Sequence, residues 1–213
     1  MDESSIGIVT GVQPLTDSSL IIRWLSRDFG RVDTVAKGAR KPKSSFAGLL
    51  DLYYLCEFSM VRGKRSQLHT LREVQLIEPR EGLRRDYQWL KQAAYVSEFL
   101  RVATELDTPI PEFFDLLAGF LTALPSRRPS QVTVIAFEWR ALELLGLAPP
   151  LNSPRIGEDV RLLADWLGNT PWELLDPAVA PSGVSDFARR LGVFMERHME
   201  HLPKHRAEAL LAG

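Results

Sequence analysis

Basic side chains are the residues of this sequence whose types and spacing point most directly to chemistry. Residues 31–43 read Arg-Val-Asp-Thr-Val-Ala-Lys-Gly-Ala-Arg-Lys-Pro-Lys, so four cations surround Gly38 and Pro42. Like charges this close repel one another unless a polyanion neutralises them, and glycine lets a phosphodiester chain approach the backbone. The stretch is therefore a candidate for phosphate binding, and the surrounding chain must decide. The alternative is an ordinary basic surface loop, which composition alone favours.

The distribution of charge supports a binding site in the first third of the chain. The net charge of the 213 residues is −1. Residues 1–80 carry 12 Lys and Arg against 9 Asp and Glu, residues 81–213 carry 14 against 18, and residues 23–43 alone carry 7 against 2. Clustered cations mark an electrostatic footprint for a polyanion. The candidates are Arg23, Arg31, Lys37, Arg40, Lys41, Lys43, Arg62, Lys64 and Arg65, with Phe29, Phe46, Tyr53 and Tyr54 as nearby rings.

Other chemistries find less support. His198, His201 and His205 have spacings of three and four that would suit a metal on one helix, but Pro203 interrupts that helix. A metal-dependent hydrolase using these histidines stays as an alternative. Cys56 is the single cysteine, and its place in an alternating strand favours a core residue. With no Walker loop, nucleophile elbow or zinc-protease helix, we assign no catalytic residue, metal or cofactor.

The elements that position the cations begin with alternating strands. Strands are predicted at 6–13, 19–26, 31–37, 53–62 and 66–77, separated by turns at Pro14, Asp28 and Gly63. In the third strand Val32, Thr34 and Ala36 alternate with Asp33, Val35 and Lys37, which is the pattern of a half-buried strand. Five antiparallel strands predict a small closed barrel, and the OB-fold fits that strand count. The long connection 38–52 could hold a helical turn from residue 44.

From Pro79 onward the period becomes helical, so the fold class is α+β with a domain boundary near residue 80. Helices are predicted from residue 86 to about 105, from Pro111, from a Ser130 N-cap to residue 145, over 158–167 and 171–175, and from a Ser182 or Ser185 cap to residue 202. The third of these is apolar on more than one face, which places it centrally. Residues 1–80 are thus an OB-fold domain and residues 81–213 an all-α domain.

Several segments resemble the RecO family of bacterial recombination-mediator and DNA-repair proteins. They are Gly7-Ile-Val-Thr, Asp17-Ser-Ser-Leu-Ile-Ile-Arg-Trp-Leu-Ser-Arg-Asp-Phe-Gly-Arg31, Val35-Ala-Lys-Gly-Ala-Arg-Lys-Pro-Lys-Ser44, Ala47-Gly-Leu-Leu50, Glu143-Leu-Leu-Gly-Leu-Ala-Pro149 and the closing residues 202–211. The resemblance implies an OB-fold and a helical domain that bind single- and double-stranded DNA, anneal strands and lack turnover. It also implies pairing with RecR, contact with the C-terminal tail of single-stranded-DNA-binding protein, and indirect help in loading RecA.

One departure from the family pattern concerns zinc. Many members carry a four-cysteine zinc site after the Gly-Leu-Ala-Pro segment, but residues 150–185 contain no cysteine. We therefore expect no zinc site here, and we expect packing through Trp166 and Trp172 to hold this region instead.

Basic pairs in the acidic helical half are candidates for protein docking. An acidic peptide tail needs a basic rim around an apolar groove, and the candidates are Arg127, Arg128, Arg189, Arg190, Lys204 and Arg206. Solvated helix faces are the alternative. An OB-fold that binds RNA or a ribosome remains a second alternative for the whole chain. The absence of long apolar runs and of a basic leader leads us to expect a cytoplasmic protein without membrane contact. The resemblance implies that this protein is bacterial and nucleoid-associated.

Overall fold

A computed structural model of the protein describes residues 2–64, 66–151 and 156–211, with a barrel of strands followed by helices. One compact unit contains Met1–Glu81 with Thr104–Ala118, and the other contains Gly82–Ala103 with Gly119–Gly213. This architecture confirms the predicted α+β class, an OB-fold barrel before an all-α part. The segment 104–118, which the sequence interpretation assigned to the helical part, clusters with the barrel.

Five strands close the barrel within the described part of the chain. They are β1 (Glu3–Pro14), β2 (Leu20–Ser26), β3 (Gly30–Ala36), β4 (Leu55–Val61) and β5 (Leu68–Glu78), in the order β1-β2-β3-β5-β4. Neighbouring strands are antiparallel except β3 and β5, which are parallel with Asp33 opposite Leu68. The prediction of antiparallel strands was wrong at this pair, because a closed ring of five strands cannot alternate direction throughout.

The barrel core follows the predicted alternation. Val32, Thr34 and Ala36 on β3 are fully buried. Trp24 stacks on Phe58 with ring centroids 4.4 Å apart, and its Nε1 donates a hydrogen bond to Thr34 Oγ1 at 2.9 Å. Because the indole N–H has a partner, the ring can fill the barrel without leaving a buried donor unsatisfied. Tyr54, one of the rings named as a candidate, packs against this core.

The helices of the described chain contribute a second set of buried apolar side chains. They are α1 (Tyr87–Ala103), α2 (Pro111–Ala123), α3 (Gln131–Leu144), α4 (Glu158–Asn169), α5 (Val184–His198) and α6 (Arg206–Leu210), with 3-10 turns at Glu81–Arg85, Leu124–Ser126, Trp172–Leu174 and Pro177–Val179. Ten residues of α3 are buried, and Phe99 and Phe120 contact its Phe137 edge-on. The central position predicted for α3 is confirmed. None of the helices in the described ranges is long and apolar enough to cross a membrane.

The N-termini of α3 and α5 can be compared with the N-caps predicted for them. Ser130 accepts a hydrogen bond from the Val132 N–H at 3.1 Å, so the predicted N-cap of α3 is confirmed. The prediction of a Ser182 or Ser185 cap for α5 was wrong. Gly183 precedes α5 with φ +90° and no side chain caps the helix, because the left-handed backbone before α5 favours a glycine.

Packing at Trp172 holds the region that lacks cysteines. A Cβ on Gly119 would lie 2.5 Å from Trp172 Cδ1, and the Arg140 guanidinium lies 4.1 Å from the indole centroid. Trp172 also meets Phe120 edge-on at 5.7 Å. Packing through Trp172 is therefore confirmed, whereas Trp166 is half-buried.

Candidate nucleic-acid interface

Two successive turns present the cations that follow β3. The Lys41 N–H donates to Gly38 O at 3.0 Å, and the Ser44 N–H donates to Lys41 O at 3.0 Å. Gly38 has φ +73°, the left-handed conformation that glycine adopts without strain. Further turns follow from residue 44, with the Ala47 N–H donating to Ser44 O at 3.2 Å. The connection is therefore ordered by its own backbone.

Arg40 attaches this connection to the turn between β1 and β2. Its backbone N–H donates to Ser18 O at 3.0 Å, and its Nη1 donates to Thr16 O at 2.9 Å. Gly38 N–H adds a longer contact of 3.4 Å to Ser19 Oγ. A guanidinium can hold a backbone carbonyl and keep further donors exposed. Arg40 thus fixes the basic turn to the barrel.

Lys37, Lys41 and Lys43 project from the same connection and are exposed. Among the described residues, none of the three lies within ion-pair distance of a carboxylate, and the same holds for Lys64 after β4. An ammonium without a carboxylate partner retains its full charge for an incoming phosphate. Four of the predicted cations therefore have the exposure and the charge that phosphate binding needs.

Arg23 and Arg31 make contacts within their own unit. Arg23 donates to Gln13 Oε1 at 3.0 Å and lies 3.9 Å from Asp33 Oδ2. Burial raises the pKa of Asp33 above its usual value, and the lowering by Arg23 is smaller. Arg31 donates from Nη1 to Thr104 O at 2.6 Å, so this side chain ties the segment 104–118 to β3.

Arg62 is paired with two acidic side chains. Its Nε lies 3.1 and 2.9 Å from the two carboxylate oxygens of Glu3, and its Nη1 lies 3.0 Å from Asp107 Oδ1. The guanidinium carbon also lies 5.3 Å from the Phe29 ring centroid. Two carboxylates compensate the single charge of Arg62, which weakens its field at a phosphate. Arg65, the last predicted cation, lies outside the described residues.

Sequence reasoning missed the pair His69 and Asp107. His69 is 3% exposed, its Nδ1 accepts from the Gly63 N–H at 3.1 Å, and its Nε2 lies 2.7 Å from Asp107 Oδ1. The inward position of His69 can be read from its alternation with Leu71. Asp107 lies 38 residues further along, and no local pattern connects the two.

Arg72 was also missed, because a β-bulge sets its direction. Ser59 pairs with Glu73 and Met60 pairs with Leu71, which leaves Arg72 without a cross-strand partner. Arg72 is exposed and borders a cavity of about 570 Å³ that Ser45 and Phe46 also line. Phe46 and Tyr53 are only 8% and 4% exposed, so these two predicted rings do not offer stacking faces.

Most candidates for protein docking have contacts inside the second unit. Arg127 donates to Leu175 O, Arg189 and Arg190 both bond to Asp186, and Arg206 bonds to Glu138. In the described ranges, Arg128 and Lys204 have no ion-pair partner within 4.0 Å and are exposed. Arg190 also lines a cavity of about 360 Å³ with Trp139, Leu151, Phe187 and Phe194.

Metal and nucleophile chemistry have no arranged site in this part of the structure. The described residues contain no group of three or more His, Cys, Asp or Glu that could hold a metal ion. Cys56 is fully buried, and burial raises the pKa of its thiol to about 11, which suits a core residue and not a thiolate. With Cys56 as the single cysteine, the chain does not fit a four-cysteine zinc site.

Comparisons with known proteins agree on one family. The family model described as Recombination protein O N terminal matches residues 1–80, and the model Recombination protein O C terminal matches residues 84–155. The DNA repair protein RecO of Rhodopirellula baltica is 31% identical over 144 residues, which are 68% of this chain and 53% of that protein. The DNA repair protein RecO of Listeria monocytogenes serotype 4a is 31% identical over 150 residues, 70% of this chain and 58% of that protein. This chain spans about half the length of the curated relatives it matches.

Proposed function

Because this chain belongs to the RecO family of recombination and DNA-repair proteins, we propose that it acts as a recombination mediator. In this role it binds single- and double-stranded DNA and promotes annealing of complementary strands. Together with RecR, it helps to load RecA on DNA coated by single-stranded-DNA-binding protein. The proposed mechanism is charge neutralisation without enzymatic turnover, and the site of action is the bacterial cytoplasm.

The observation that carries this proposal is the set of uncompensated lysines on the turns after β3. Lys37, Lys41 and Lys43 are exposed, have no carboxylate partner in the described chain, and extend from a connection that Arg40 holds to Thr16 and Ser18. Two DNA strands repel each other through their phosphates, so a fixed cluster of cations lowers the barrier to their approach. Lys64 extends the same chemistry to the β4–β5 connection.

Annealing of complementary oligonucleotides, with and without single-stranded-DNA-binding protein, tests this function. We expect the protein to accelerate annealing and the double variant Lys41→Ala/Lys43→Ala to lose most of that acceleration. Arg197→Ala, which removes one exposed cation from α5, serves as the control and should anneal normally. Equal annealing with and without the protein would refute the proposal.

Competition between DNA and RNA separates this function from the RNA-binding alternative. Labelled single-stranded DNA is displaced by unlabelled DNA or RNA of matched sequence at moderate salt. The repair function predicts that RNA displaces the label no better than DNA does. A strong preference for RNA would favour the alternative.

We further propose that the acidic tail of single-stranded-DNA-binding protein docks in the second unit. The groove beside Arg190 has apolar walls from Trp139, Phe187 and Phe194, the composition that an acidic tail with apolar side chains requires. Arg190 shares Asp186 with Arg189, so an incoming carboxylate must compete with that pair. Binding of a labelled tail peptide should weaken in Arg190→Ala and remain normal in Arg128→Ala. The reverse result would move the site to a second cavity of about 580 Å³, which Arg127 and Arg128 line.

A further inference from the structure

We propose that His69 is a positioning residue for DNA binding, which sets the place where Lys64 leaves the barrel. The inference rests on the proposed function, because it concerns how a cation meets DNA. It starts from an imidazole that is 3% exposed, accepts a hydrogen bond at Nδ1 and makes a second hydrogen bond through Nε2. A side chain that only filled space in the core would need neither hydrogen bond, since an apolar side chain would fill the same space.

The first bond fixes the backbone directly before Lys64. The Gly63 N–H donates to His69 Nδ1 at 3.1 Å, so Nδ1 carries no proton and the ring proton is on Nε2. A Cβ on Gly63 would lie 2.6 Å from Ser66 O and 2.7 Å from Leu68 O. The chain therefore folds back tightly at this point, and the direction of the Gly63 amide decides where residue 64 emerges.

The second bond anchors His69 to the segment 104–118 of the same unit. Asp107 Oδ1 accepts hydrogen bonds from His69 Nε2 at 2.7 Å and from Arg62 Nη1 at 3.0 Å. Asp107 is itself held in a left-handed conformation, φ +56°, where its N–H donates to Arg31 O at 2.8 Å. His69 thus connects Gly63 to a fixed carboxylate that lies on another part of the chain.

Arg62 and Lys64 differ in whether carboxylates compensate their charges. Arg62 is compensated by Glu3 and Asp107, whereas Lys64 is exposed and has no carboxylate partner in the described chain. Lys64 is therefore the cation of residues 62–64 that is available to phosphate, and the His69–Gly63 bond fixes the backbone of the residue directly before it.

Two amide replacements of His69 separate its two bonds. In His69→Asn the side-chain oxygen occupies the place of Nδ1 and can accept from Gly63, but the donor to Asp107 is lost. In His69→Gln the side-chain NH₂ occupies the place of Nε2 and can donate to Asp107, but the acceptor for Gly63 is lost. Both variants lose the imidazole, so a difference between them reports the individual bonds and not the loss of core volume.

The experiment measures binding of a labelled single-stranded oligonucleotide at several salt concentrations, together with hydrogen exchange at the Gly63 amide. We expect His69→Gln and Lys64→Ala each to flatten the slope of log K against log salt by about 0.7, one single-strand phosphate contact, and their combination to add nothing. His69→Asn should keep the slope and the slow exchange at Gly63, whereas His69→Gln should exchange faster.

Equal slopes for His69→Gln and the unaltered protein, or additive losses in the double variant, would overturn the positioning role. The hydrogen-exchange rate of the Gly63 amide tests the same role without DNA. An equal rate in His69→Gln and in the unaltered protein would overturn that role. If instead the unaltered protein shows no salt-dependent binding while Gly63 responds as expected, the proposed function fails and the role of His69 in DNA binding fails with it, whereas the hydrogen bond from Gly63 to His69 is confirmed.

Discussion

Glu138 and Arg206 form a bidentate ion pair inside the helical unit. Arg206 Nε and Nη2 lie 2.6 and 2.7 Å from the two carboxylate oxygens of Glu138, whose side chain has no exposed surface. Tyr95 donates its hydroxyl to the same carboxylate at 2.5 Å, and Arg206 also donates to Ala188 O at 2.8 Å. One side chain of α6 therefore connects α1, α3 and α5, and Arg206 is an internal contact more than a docking residue.

We predict that Arg206→Ala destabilises the helical unit by about 3–5 kcal/mol, because removal of one partner leaves a buried charge unpaired. Urea unfolding followed by circular dichroism measures the change. Arg197→Ala on the exposed face of α5 is the matched control and should change the free energy of unfolding by less than about 0.5 kcal/mol. A similar small change for Arg206→Ala would mean that water or another cation compensates Glu138.

Two possible roles of the Arg40 side chain, fixing the turn and binding phosphate, can be separated by mutation. Arg40→Lys retains the charge but loses the forked donor that reaches Thr16 O. We expect this variant to bind single-stranded DNA more weakly, because the lysines of the turn lose their fixed arrangement. Lys41→Arg, which also retains charge, should bind as tightly as the unaltered protein. Normal binding by Arg40→Lys would show that only the charge of residue 40 matters; fluorescence anisotropy at constant salt measures both.

Local patterns predicted the parts of this molecule that depend on near neighbours. The alternation on β3 gave the inward positions of Val32 and Thr34, and Ser130 marked the start of α3. Contacts between distant residues could not be read in this way: Arg40 meets Thr16 across 24 positions, and His69 meets Asp107 across 38. The basic cluster was therefore found as composition, while the division of its members into turn-holding and exposed cations required the structure.

Cys56 predicts a pH dependence of stability. Burial raises its pKa from the usual 9.0 to about 11, and its Sγ donates to Leu49 O at 3.7 Å. A raised pKa in the folded state means that the contribution to stability is complete below pH 9 and is lost as the pH rises through 11. We expect thiol reagents to label Cys56 at pH 8 only after unfolding in guanidinium. In the alkaline range, Cys56→Ala should lose stability less steeply than the unaltered protein; an equal slope would contradict the assignment.

Gly30 is a position where the segment 104–118 leaves no room for a side chain on β3. A Cβ on Gly30 would lie 1.7 Å from Thr108 O, and the residue has φ +68°. Gly48 offers a matched control, since it has φ +74° with no atom within 4 Å of its Cβ position. Alanine at residue 48 should therefore cost only the left-handed backbone strain, about 1–2 kcal/mol.

Alanine at residue 30 carries the same strain and also displaces Thr108, so we expect Gly30→Ala to destabilise the barrel unit by clearly more than Gly48→Ala does. The displaced segment should lose the hydrogen bond from the Asp107 N–H to Arg31 O, which is 2.8 Å long. Hydrogen exchange at Asp107 should therefore become faster in Gly30→Ala and stay slow in Gly48→Ala. If both variants lose equal stability and keep Asp107 protected, the contact between Gly30 and Thr108 does not hold the segment, because only the shared backbone strain would then have been measured.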